Sequence, residues 1–365
     1  MPNQLLLLFS SNIRPLYEQD ILDVLAGPSG TRYDFRYARR HLNPAADTSW
    51  QTRDLVGVKV LVVFSIQSAA RYHDPAFIPV REASVVDSSG SGDLRFVRFE
   101  LGDYTSLSVP VADSERWPAD LESAVKWFTG VLKAGGQCPY AYSAALVNDP
   151  LVDHRERFAK GPDVVAFGSV ARYLAQTQSF KRARFFACQR LMSAGHDASH
   201  VTATEGVFEL GAGSSYEVVI MHSQPGSVED VSPFLVSADD DLVRVIGRPG
   251  FDIASNYDIV RIPIHIADPG QVEESVLAIR PDALVQGPSM SLRLRIIPKN
   301  RLGAALATAT FILLTAIVGF IPTSSKDVNT DFLWFKGVIA VLATTVAFLT
   351  VLSRGNIRSA SQQQS

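Results

Sequence analysis

The 365-residue sequence predicts an α+β chain built from a mixed sheet-and-helix N-terminal domain, an all-β sandwich-like domain and a two-helix transmembrane hairpin. Three observations lead there. Helical and strand periodicities mix over residues 1–200, strand-type segments alone occupy 201–300, and two long apolar runs fill 301–353, leaving a polar tail at 354–365.

Leu5–Phe9 is a short, continuous apolar run and reads as a first buried strand. Tyr17–Leu25 places Ile21, Leu22 and Leu25 on one helical face, and Gly27-Pro28 ends that helix. In TRYDFRYARR, Tyr33, Phe35 and Tyr37 alternate with Arg32, Asp34 and Arg36, the period of a half-buried strand. Val56–Ile66 is apolar on both faces and belongs at a sheet centre. Phe77–Val86 and Leu94–Leu101 follow as strands joined through DSSGSGD. A helix opens at Pro118 and carries Leu121, Val125, Phe128 and Leu132 at helical spacing; a second covers Val164–Ala175. Between them QCPYAYSAALVNDP reads as a loop, and Arg184–Met192 as a strand returning to the first sheet. Beyond Thr202 the strands Val207–Leu210, Tyr216–His222, Leu242–Gly247, Tyr257–Ile266 and Ser291–Ile297 are separated by Gly, Pro, Ser or Asp clusters, the pattern of a β-sandwich.

Leu302–Ile321 is uncharged, and a helix of that length spans about 30 Å, the thickness of a bilayer's hydrocarbon core. Leu333–Ser353 carries one charge, Lys336, beside the interfacial aromatics Trp334 and Phe335. Arg293, Arg295, Lys299 and Arg301 before the first run and Arg354 and Arg358 after the second predict an integral membrane protein with both termini cytoplasmic, the membrane being the inner or plasma membrane if the source is bacterial. MPNQLLLLFSS lacks the positive start of a signal peptide. Threonines within the runs, among them Thr308, Thr315 and Thr345, predict helix association, so the expected partners are the lipid bilayer and further copies of the chain.

Charge narrows the function. From Arg301 onward five basic side chains face two acidic ones, net +3; the preceding part has 29 against 35, net −6, a poor general nucleic-acid binder. Two cysteines, Cys138 and Cys188, make no disulfide framework.

The densest local chemistry is TRYDFRYARRH, where Arg32, Arg36, Arg39 and Arg40 lie among aromatics. Guanidinium forks hold phosphates, so these four arginines are the candidate ligand-binding residues. Core aromatics with arginines on the wet face account for the same pattern. GHDASH offers His196 and His200 four apart, but Gly195 and Ser199 favour a loop, and His154 has no recognisable partner. DSSGSGD lacks the lysine of a P-loop, and Asp239–Asp241 lack the alternation of a calcium loop. No GxSxG, HExxH or CxxC pair occurs, so no catalytic residue, metal or cofactor is expected. The layout predicts a membrane-anchored cytoplasmic sensor of an unknown small-molecule or protein ligand whose hairpins associate to act on the membrane, and it is similar to that of two-span effectors in bacterial second-messenger or antiphage systems; a passive membrane scaffold or adaptor and a membrane-tethered enzyme are the competing readings.

Overall fold

A computed structural model describes residues 4–52, 54–67, 75–107, 117–134, 142–151, 158–161, 164–181, 183–194, 199–223, 232–253, 258–282 and 286–298. All lie in one compact unit, Met1–Pro298.

The first part of this unit comprises β1 (Gln4–Ser11), α1 (Pro15–Ala26), β2 (Arg32–Ala38), a short 3-10 helix (Arg39–His41), α2 (Pro44–Thr52), β3 (Lys59–Ile66), β4 (Ala76–Ser91), β5 (Leu94–Leu107), α3 (Trp117–Ala134), β6 (Ala144–Asn148), β7 (Phe158–Gly161) and α4 (Val164–Ala175). The strands form one sheet in the order β2-β5-β4-β3-β1-β6, with β7 also paired to β5. β1 and β3 run parallel, Leu5 opposite Lys59, and both are buried along most of their length, as continuous apolar runs require. Asn43 closes the β6 edge: its side-chain amide donates to the Leu146 carbonyl (2.9 Å) and accepts from the Leu146 N–H (3.1 Å). The same Asn43 oxygen accepts from Ala46 N–H at 2.8 Å, capping α2.

The remainder is strand: β8 (Phe185–Ser193), β9 (His200–Val201), β10 (Ala203–Thr204), β11 (Val207–Gly211), β12 (Ser215–Ser223), β13 (Ser232–Ala238), β14 (Val243–Val245), β15 (Gly250–Ile253), β16 (Asp258–Ile266), β17 (Glu273–Pro281) and β18 (Met290–Ile297). They make two sheets, β10-β11-β18-β17-β13-β15 and β14-β16-β12-β8-β9, around a core that includes Phe186, Phe234 and Phe251. β18 shows the alternation that sandwich packing demands: Met290, Leu292, Leu294 and Ile296 are buried, while Arg293 and Arg295 pair outside with Glu274 and Glu209.

Several expectations are corrected. The α+β class gives way to a predominantly β fold of three sheets with four α-helices among the described residues. Arg184–Met192 does not return to the first sheet: β8 pairs with β12, because an apolar run carries no record of which sheet it joins. Part of the expected loop QCPYAYSAALVNDP is β6. The two-helix transmembrane hairpin is not part of the described fold, and no described helix is long and apolar enough to cross a membrane. The longest, α3, has 18 residues and carries Asp120, Glu122, Lys126 and Lys133. The integral-membrane localisation is corrected on the same finding. Runs 302–321 and 333–353, and the oligomer contacts expected from them, lie outside the described residues.

One buried cation organises the first part. Arg81, 1% exposed, stacks its guanidinium 4.2 Å over the Tyr104 ring and donates from Nη1 to the carbonyls of Val24 (3.0 Å) and Gly27 at the end of α1. Tyr104 Oη donates to Leu25 O and Tyr33 Oη to Asp23 O, each at 2.9 Å. A helix C-terminus leaves carbonyls unpaired and carries partial negative charge, so a cation with a fork of donors satisfies both needs. Arg81 Nε also donates to Gly102 O on β5 at 2.9 Å, fastening helix to sheet.

Helix α1 also reaches the sandwich side. Asp23 Oδ1 accepts from Ser289 N–H (2.9 Å) and from Gln19 Nε2 (2.6 Å). Burial pushes the carboxyls of Asp20 and Asp23 up to about 6; the nearby Arg36 charge opposes this at Asp20.

Replacing Arg81 by Met leaves the α1 carbonyls without donors and is expected to cost about 3 kcal/mol or more, read from the urea midpoint; a loss under about 1 kcal/mol would contradict this role. Asp20 favours its protonated form in the fold, so its contribution is fully present below the unfolded value of 3.8 and is lost as pH rises through about 6. Asp20→Asn is therefore expected to raise Tm at about pH 7.5 and leave it unchanged near pH 4. An equal shift at both pH values would show that the charge is not the cause.

Candidate functional site

The hairpin of β4 and β5 is interrupted where Arg81 faces Tyr104 but Ala83 faces Leu101, so Glu82 alone opposes both Gly102 and Asp103. Such a bulge turns side chains away from regular alternation and is frequent beside functional sites. Here it has a clear cause. Arg81 pulls Gly102 O to one side of the sheet, and a Cβ at residue 102 would meet the Glu82 carbonyl oxygen at 3.3 Å.

On this bulge sits a cleft of about 420 Å³, within the size range of small-molecule sites. β1 and β3 contribute Leu5, Lys59, Val60 and Leu61; β4 contributes Glu82, Ala83 and Ser84; β5 contributes Glu100, Leu101, Gly102, Asp103 and Thr105; and the segment after β6 adds Asp149 and Leu151. A single row crosses four strands in register, with Lys59 opposite Ser84, Ser84 opposite Glu100 and Glu100 opposite Arg32. Neighbours in such a row have Cβ atoms about 5 Å apart, within mutual reach. The lining thus combines four carboxylates and one ammonium with leucine side chains. Thr105 lines it too, is 2% exposed, and its hydroxyl has no hydrogen-bond partner among the described residues.

The four arginines expected to hold a ligand do not converge on one point. Arg32 donates from Nε to Glu100 at 3.1 Å, and its methylene groups lie on the sandwich: a Cβ at Gly206 would meet Arg32 Cγ at 2.8 Å. Gly206 (φ 80°) and Glu205 (φ 54°) form the left-handed turn between β10 and β11, and glycine at 206 leaves room for the arginine. Arg36 is exposed on β2. Arg39 pairs with Asp47 at 2.9 Å, and Asp47 also meets the buried Arg95 at 3.3 Å. Arg40 Nε lies 3.3 Å from His41 Nε2. Arg32 is therefore the one of the four joined to the cleft, through Glu100.

His196 and His154 lie outside the described residues. His200 is on β9, and burial together with the Arg190 charge holds its imidazole below the ordinary value. Asp240 accepts from Leu242 N–H at 2.9 Å, and DSSGSGD runs into a tight turn at Gly92 (φ 57°). Burial pushes the Cys188 thiol up to about 12, so it stays a protonated core group. Among the described residues no cluster of three His, Cys, Asp or Glu side chains is arranged to hold a metal ion.

Sequence reasoning missed the cleft, since Glu82, Gly102 and Asp103 gather only through the bulge and Asp149 only through the fold. The nearest signal was Glu82 and Glu100 on strands whose other face is apolar.

No protein family and no curated protein matches the chain. Among solved structures, a Bacteroides ovatus GH5 xyloglucanase in complex with a XXXG heptasaccharide overlaps 30% of this chain and 19% of its own, at 10% identity and a TM-score of 0.19. The Vibrio cholerae VesB protease overlaps 62% of this chain and 83% of its own, at 6% identity and a TM-score of 0.16. Neither overlap defines a shared fold.

A buried hydroxyl without a partner costs desolvation free energy. Thr105→Val is expected to stabilise the ligand-free protein by about 1 kcal/mol in thermal or urea unfolding. Destabilisation by a similar amount would mean that the hydroxyl is already satisfied.

Proposed function

We propose that the chain is a ligand sensor whose binding site is the cleft on the β4–β5 bulge, and whose response passes through Glu100 and Arg32 to the β10–β11 turn. The observation that carries this reading is the double commitment of Glu100. It lines the cleft and at the same time holds Arg32, whose stem packs against Gly206. An occupant that draws on the Glu100 carboxylate competes with the Arg32 guanidinium and loosens its seat on the turn. Differential contact of this kind is what shifts a conformational equilibrium. The shape, volume and mixed apolar and charged lining of the cleft support binding, and the bulge with its buried arginine supports a rigid rear wall.

The test is a thermal-stability screen of the full chain against amines, sugars, amino acids and nucleotides, with Ser84→Trp as a blocking variant. Ser84 is exposed and lines the cleft, so an indole there fills the site without entering the core. The expected outcome is a stabilising compound whose effect vanishes in Ser84→Trp and whose binding increases hydrogen exchange at residues 203–207. Stabilisation that persists in the blocked variant would place the site elsewhere, and binding without any change at 203–207 would remove the relay.

A further inference from the structure

We propose that β2 is a docking edge for a second copy of this chain, the two β2 strands pairing antiparallel about a two-fold axis at Phe35. β2 ends its sheet, and among the described residues β5 is its one strand partner. Its seven residues keep a single register with β5 and contain neither a proline nor a bulge, devices that commonly blunt an edge. The other strands at the ends and flanks of the sheets are shorter: two residues in β9 and β10, three in β14, four in β7 and β15, and five in β6. β6 is closed besides by Asn43.

The main chain of β2 fixes which of its residues can pair outward. Leu101 N–H donates to Thr31 O at 2.9 Å, and Arg39 N–H donates to Asp93 O at 2.7 Å. In the regular ladder between these two bonds, Tyr33, Phe35 and Tyr37 exchange hydrogen bonds with β5. Arg32, Asp34, Arg36 and Ala38 therefore aim their N–H and C=O groups out of the sheet edge. The side chains of Asp34 and Arg36 are exposed on the face opposite the buried Phe35 and Tyr37.

Charge then selects the register. With Phe35 on the axis, Asp34 lies opposite the partner's Arg36, Arg36 opposite the partner's Asp34, and Arg32 opposite the partner's Ala38, a small residue that leaves Arg32 on Glu100. All four outward residues are paired and both charge contacts are attractive. Moving the axis to Asp34 or to Arg36 places that charge opposite its own copy, which is repulsive. An axis at Tyr33 would match Asp34 with Arg32, which Glu100 and the β10–β11 turn already hold. In the single chain, Asp34 accepts two bonds from Arg98, at 2.8 and 2.9 Å, yet its side chain is 57% exposed. A carboxylate has lone pairs for a second guanidinium. The charge of Arg36 reaches Asp20 on α1, but Arg36 forms no ion pair among the described residues.

The experiment measures self-association of the full chain by analytical ultracentrifugation, unsubstituted and with Arg36→Asp or Asp34→Arg. Each exposed change sets like charges opposite one another at both contacts, and each variant alone is expected to associate about tenfold or more weakly than the unsubstituted chain. An equal mixture of the two variants is expected to recover the affinity, because one then presents two carboxylates to the two guanidiniums of the other. Recovery on mixing also separates this edge from self-association elsewhere in the chain. In the unsubstituted chain, hydrogen exchange at the Asp34 and Arg36 amides is expected to slow as concentration rises. Association that neither variant weakens, or a mixture that recovers nothing, would overturn the proposal. Exchange at these two amides that does not depend on concentration up to about 0.1 mM would overturn it without any variant.

Discussion

A guanidinium removed from water without a carboxylate beside it must find acceptors and negative charge elsewhere, and Arg81 finds both at the C-terminal end of α1. The helix end, with its unpaired carbonyls and partial charge, is a weaker counter-ion than a carboxylate, so several contacts are needed at once. Tyr104 supplies a π-face, Gly102 another carbonyl, and Ser29 a hydroxyl 3.3 Å away. Helix, β4, β5 and the turn entering β2 are fastened at one point. The side of β5 away from Arg81 is where the cleft opens, so the same contact that anchors α1 also shapes the bulge bearing Glu82 and Asp103.

From there the charged row across the sheet gives the cleft its character. Lys59, Ser84, Glu100 and Arg32 lie on successive strands, and the last of them touches the sandwich. The β10–β11 turn thereby touches the start of the edge strand β2, at Arg32. A salt bridge of this partly exposed kind contributes little to stability, which suits a contact that a ligand is to exchange. Two of the four arginines in the stretch that stands out in the sequence are paired in place, Arg32 with Glu100 and Arg39 with Asp47.

What the sequence discloses and what it hides divide along the range of the interactions involved. The buried face of β18, the aromatic face of β2 and the apolar face of α1 were legible because a period of two or of 3.6 residues records which side meets the core. Pairing partners leave no such record. β8 has the composition of any central strand, and its place beside β12 depends on contacts made across the chain. β6, with its two alanines, presents little hydrophobic signal and owes its ordering partly to Asn43, a residue a hundred positions away. The prominence of the apolar C-terminal runs also drew the sequence reading toward a membrane fold, whereas the described structure is organised by β-sheets. The cleft was the least visible feature of all, because its carboxylates are dispersed between residues 82 and 149 and brought together by register and by a bulge.

The most direct test of the account is a crystal structure of the chain grown with a compound whose stabilising effect Ser84→Trp abolishes. The account predicts density in the cleft within hydrogen-bonding distance of Glu100 and an Arg32 side chain displaced from Glu100 and from its seat on the β10–β11 turn. Density for the compound elsewhere, or an unchanged Arg32–Glu100 pair beside a ligand in the cleft, would contradict it.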